Sequence, residues 1–107
     1  MKQIIILFLL ILNSVAGAAP TGQIKGRVED SETGTGLPGE NSTVEGTMLG
    51  ASTDRNGNFT IPSVPPGVYS LRASMIGYRN VEKSDVRVRI NSAVSVNFSL
   101  EPTSIEF

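Results

Sequence analysis

From Gln23 onward the apolar residues of this chain return at every second position, a period that belongs to half-buried strands and not to helices. Ile24 and Val28 share a face with Gly26, opposite Lys25, Arg27 and Glu29. Tyr69, Leu71, Ala73 and Met75 alternate with Ser70, Arg72 and Ser74; Val86, Val88 and Ile90 alternate with Asp85, Arg87 and Arg89. Val94, Val96, Phe98 and Leu100 alternate with Ser95, Asn97 and Ser99, and Phe59 with Ile61 makes a shorter run. No segment beyond the first twenty residues carries an i, i+3, i+4 apolar stripe of useful length. The expected fold is all-β, an antiparallel sandwich of about seven strands, with Leu71, Val96 and Phe98 buried and Arg72, Ser95 and Asn97 in solvent.

Turn residues punctuate these runs. Asn56-Gly57 between Ala51–Thr53 and Asn58–Ile61 predicts a hairpin with a type I′ turn, and Pro66-Gly67 predicts a type II turn before the Tyr69 strand. Asp30 to Gly39, with three glycines and a proline, reads as a loop.

The first residues follow a different rule. Met1-Lys2 carries a charge, Ile4 to Leu12 is an unbroken apolar run, and small residues follow through Ala16-Gly17-Ala18. That order is the pattern of a cleaved export signal over residues 1–18. Nine apolar residues fall short of the roughly 20 that a bilayer-spanning helix needs. Without cysteine the chain can carry neither a lipoprotein anchor nor a disulfide. The remaining 89 residues suffice for one domain, spanning 19–101, with 102–107 as a tail or the start of a linker. The 107 residues hold 9 basic and 10 acidic side chains; losing Lys2 leaves a net charge of −2, with no positive footprint for nucleic acid.

Candidate chemistry is sparse. The absence of His and Cys removes imidazole- or thiol-based nucleophilic catalysis and the usual zinc sites. No catalytic, cofactor-binding or metal-binding residue is assigned, and no enzyme activity is expected. Glu29, Asp30 and Glu32 read as solvated charges at a strand end. Asp54 to Asn58 lacks the glycine and glutamate spacing of a calcium loop and reads as a turn. The sequons at Asn41, Asn58 and Asn97 are taken as accidental. Lys83, Arg87 and Arg89 form a mildly basic stripe on an outward face, expected to keep the strand soluble, with weak docking as the minor alternative.

The ordered series Gly22-Gln-Ile-Lys-Gly-Arg-Val-Glu-Asp, Thr33-Gly34, Leu37-Pro38-Gly39, Val44-Glu45-Gly46-Thr47, Thr53-Asp54-x-x-Gly57-x-Phe59, Pro66-Gly67-Val68-Tyr69-Ser70-Leu71 and Ile76-Gly77-Tyr78 resembles the carboxypeptidase-regulatory-like domains. The resemblance covers residues 22 to about 101 and implies a prealbumin-like sandwich of Greek-key type. A signal followed directly by such a domain resembles the N-terminal extension of TonB-dependent outer-membrane receptors of Bacteroidetes-type bacteria. It implies an exported, periplasm-facing accessory domain working by protein contact or spacing, with protein partners, no nucleic acid and no cofactor. The alternative is a free-standing carbohydrate-binding or adhesive sandwich, for which Tyr78 is the one aromatic residue expected to be free. Glu40 and Ser42 depart from the family's small or apolar inward residues, so either that strand lies at a wetted edge or its register shifts by one. The segments containing Lys25 and Arg27, and Glu40 and Ser42, are the edge strands expected to carry a partner contact.

Overall fold

A computed structural model describes residues 19–103; the expected export signal at 1–18 and the last four residues of the tail lie outside the described residues. Eight strands follow one another: β1 Gly22–Asp30, β2 Asn41–Val44, β3 Gly50–Ser52, β4 Asn58–Val64, β5 Gly67–Ser74, β6 Val81–Val88, β7 Ala93–Ser95 and β8 Phe98–Leu100. They build two sheets. The first places β1 between antiparallel β4 and the pair β7 and β8, both of which run parallel to β1. The second is antiparallel throughout, in the order β3-β2-β5-β6.

The all-β sandwich expected from the alternation is the observed fold. Its core is the inward set of that pattern: Ile24, Val28, Val44, Phe59, Ile61, Leu71, Ala73, Val86, Val88, Val96, Phe98 and Leu100 are buried, joined by Val64 and Leu37. Arg72, Ser95 and Asn97 are exposed, as expected. At Gly26 an added Cβ would fall 1.7 Å from the Val96 carbonyl oxygen, so glycine lets the link between β7 and β8 cross close over β1.

Several local expectations are corrected. The single strand expected over Ala93–Glu101 is two short ones, because the ladder breaks at Asn97: Val96 N–H still donates to the Lys25 carbonyl, but Arg27 N–H donates to the Asn97 side-chain oxygen. β6 begins at Val81, not Asp85; a register shift and the left-handed Asp85 (φ 59°) interrupt its alternation, so periodicity alone hides its first half. Ile90 is 49 % exposed because β6 ends at Val88. β3 and β4 are not a hairpin: they pair with β2 and β1 in different sheets. The Asn56-Gly57 turn does form, but only Gly57 (φ +84°) is left-handed, so it is not type I′. Gly57 N–H donates to the Asp54 carbonyl, and the Asp54 side chain accepts from Asn56 and Asn58 N–H at 2.9 Å. Gly67 lacks the positive φ of a type II turn and instead opens β5.

Candidate interaction surface

Both strands expected to lie at an edge are interior. β1 has neighbours on both sides, and β2 lies between β3 and β5. The irregularity at Glu40 and Ser42 therefore has another cause. Both side chains are fully buried, and the register is the expected one, with Ser42 and Val44 inward. Ser42 Oγ donates toward the Glu40 carboxylate at 2.9 and 3.0 Å, while Thr53 Oγ1 accepts from Glu40 N–H at 2.9 Å. Burial pushes the Glu40 carboxyl above its usual range, partly opposed by the bonds from Ser42 and the Ser74 backbone. A polar knot inside the sandwich replaces the expected wetted edge.

The acidic cluster at the end of β1 also differs from expectation. Asp30 is buried, not solvated. Its Oδ1 accepts from Glu32 N–H at 2.8 Å and Thr33 N–H at 3.1 Å, and its Oδ2 accepts from Tyr78 Oη–H at 2.8 Å. The Tyr78 bond, then the backbone bonds, hold the Asp30 carboxyl below its usual range, and the same Asp30 contact raises the Tyr78 phenol. Tyr78 is thus half-buried and tied down, not the free aromatic expected. Its backbone pairs with Pro102, and Thr103 N–H donates to the Gly77 carbonyl, so the chain past Leu100 is strapped to the same pole. Glu29 pairs with Arg27 at 2.8 Å.

What the surface offers is four sheet margins, three of them guarded. β4 carries Pro62, a left-handed Ser63 (φ 56°) and a register shift against β1. The β7–β8 margin is broken at Asn97. β6 carries the Asp85 bulge and Lys83. The basic stripe is corrected here: Lys83 stands in register with the inward Leu71, places its ammonium 5.5 Å from the Phe98 ring centroid and donates to the Asn97 carbonyl. An inward-pointing lysine on an edge strand obstructs further pairing. Lys83 also shares an open cleft of about 400 Å³ with Arg27, Glu29, Asn97, Phe98 and Ser99. Arg87 and Arg89 remain exposed beside Val68 and Ile90. β3 has no proline, bulge or charge, and fully exposed Met48 precedes it. Periodicity could not single it out, since three residues carry too little pattern.

Among the described residues no group of three or more His, Cys, Asp or Glu could hold a metal ion, and no helix is long and apolar enough to cross a membrane. The strand order and burial pattern define a small two-sheet β-sandwich domain. The carboxypeptidase regulatory-like domain profile matches residues 23–101, and the chain belongs to that family. Mouse (Mus musculus) carboxypeptidase D is 39% identical over 80 residues, which cover 75% of this chain and 6% of that protein. TonB-dependent receptor P3 of Formosa agariphila is 29% identical over 106 residues, 99% of this chain and 10% of the receptor. A minor pilin of Streptococcus agalactiae shares the fold at 15% identity, with a TM-score of 0.58 over 82% of this chain and 47% of the pilin. The chain thus spans no more than about a tenth of the length of these two curated relatives.

Proposed function

We propose that this chain is the N-terminal accessory domain of a TonB-dependent outer-membrane receptor, exported by residues 1–18, facing the periplasm and acting by protein contact or spacing without chemistry of its own. The observation that carries this reading is the extent of the receptor match. It runs over 106 residues, beyond both limits of the family domain, whereas the carboxypeptidase D match stays within 80. The surface is consistent with the reading. No described side chains converge as a nucleophile with a base, or as a pair of carboxylates across an enclosed cleft. The carbohydrate-binding alternative loses support because its candidate platform, Tyr78, is half-buried and spends its hydroxyl on Asp30.

The test is the DNA downstream of the Phe107 codon. A frame that runs on into a plug and a long series of amphipathic β-strands supports the receptor reading. A stop codon directly after Phe107 overturns it.

A further inference from the structure

The one unguarded margin, β3, has a geometry that fits a second copy of itself. Val44 N–H donates to the Leu49 carbonyl at 2.9 Å and Thr53 N–H to the Glu40 carbonyl at 3.0 Å, which fixes the phase of the β2–β3 ladder. In an antiparallel ladder hydrogen-bonded pairs alternate with non-bonded ones. Ser42 with Ala51 is then hydrogen-bonded, while Thr43 with Gly50 and Asn41 with Ser52 are not. Gly50 and Ser52 therefore aim their N–H and C=O groups away from β2, toward the open margin, and both are exposed. Among the described residues no strand pairs with β3 on that side.

We infer that β3 is a self-association edge, where a second copy adds antiparallel with Ala51 facing Ala51 across a two-fold axis. This goes beyond the receptor reading and does not depend on it. In that register Gly50 of each copy faces Ser52 of the other, and the two outward-facing residues exchange both backbone hydrogen bonds. The flanking pairs are Leu49 with Thr53, Met48 with Asp54, and Thr47 with Arg55, so no like charges meet. Gly46 to Thr53 holds no charged residue at all. The other margins are unsuited: β4 has a proline, β7–β8 is broken, and β6 has Lys83 turned inward. The result is a continuous sheet of eight strands, β6-β5-β2-β3 followed by its two-fold copy. With three residues per copy at the seam the association is weak.

The chain has no cysteine, so single thiols report the geometry directly. Ala51 facing Ala51 is a non-bonded pair with Cα atoms about 4.5 Å apart, within disulfide reach. The 107-residue Ala51→Cys chain, oxidised mildly at about 10⁻⁴ M, is expected to cross-link at least about tenfold faster than Ile76→Cys, although Ile76 is 99% exposed and Ala51 only partly so. Adding Ser52→Pro removes one outward N–H and no backbone bond to β2, losing only the exposed 3.0 Å bond from Ser52 Oγ to Asn41 Oδ1, and should bring the rate down to that of Ile76→Cys with a nearly unchanged melting temperature. If that variant melts early, Ser52→Lys, which keeps the N–H but places charge at the seam, should slow cross-linking in the same way. Cross-linking of Ala51→Cys no faster than Ile76→Cys, or unaffected by folded Ser52 variants, overturns the inference.

Discussion

A fully buried carboxyl that forms no ion pair among the described residues is the feature that most sets this domain apart from an ordinary apolar sandwich. The Glu40 carboxyl is raised by burial, so the folded chain holds its proton more tightly than the unfolded chain does. Its contribution to stability is complete below the unfolded value of about 4.5 and is lost as pH climbs toward the raised folded value. Glu40→Gln keeps the shape, with its amide donating to Ser42 Oγ. It should melt above the parent at pH 7, and the gap should close as pH falls toward 4.5; thermal melts followed by circular dichroism across that range decide it. Asp30 has the opposite sign: its lowered value gives stability that is present above about 3.8 and lost as pH falls through the folded value. Tyr78→Phe removes the largest cause of that lowering, so acid unfolding of the variant should begin at a higher pH than in the parent. The burial of Phe98 was readable from alternation, and its ring is 6.4 Å from that of Phe59. Phe98→Ala should cost about 3–5 kcal/mol, measured by urea unfolding. What alternation did not show was Glu40 inside. A sequence pattern ranks glutamate as a surface residue, and only the serine two positions along the same face hints at a partner.

At the scale of strands, the pattern named faces well and neighbours poorly. A period of two reports which side of a strand is buried, and is silent about which strand lies beside it. So β1 and β2 looked like edges yet are interior, and β7 and β8 looked like one antiparallel strand yet are two parallel ones. Polar outward residues occur on interior strands of a sandwich as readily as on edges, because the outer face is wet in both cases. Of the true margins, β4 and β6 are marked by defects instead: Pro62 and Ser63 on β4, Asp85 and Lys83 on β6. Lys83 is the guard most open to test. Lys83→Val removes the inward charge and leaves β6 a smoother, more apolar edge. Its solutions should scatter light increasingly over time at concentrations where the parent stays clear, whereas Arg87→Ser, on the outward face, should behave as the parent does. Equal scattering from both variants would show that Lys83 does not guard the edge.

For the whole molecule, the fold class and family were legible because nearly every described residue serves the sandwich, and its ordered turn motifs are spread over residues 22 to 78. Function was legible only by resemblance, since the described residues hold no constellation of reactive side chains from which to read a chemistry. The structure places the sheet margins at β3, β4, β6 and β7–β8 and not at β1 or β2, and it ties the Tyr78 hydroxyl to Asp30; the accessory-domain reading stands beside both. That reading is tested most directly by locating the polypeptide in its own cells. Cells of the source organism are fractionated and probed with an antibody raised against residues 19–103. The expected result is a band in the outer-membrane fraction, of roughly ten times the length of this chain, by analogy with the receptor of which it matches 10%. A band near 11.4 kDa or below, found only in the soluble periplasmic or culture fraction, would contradict it.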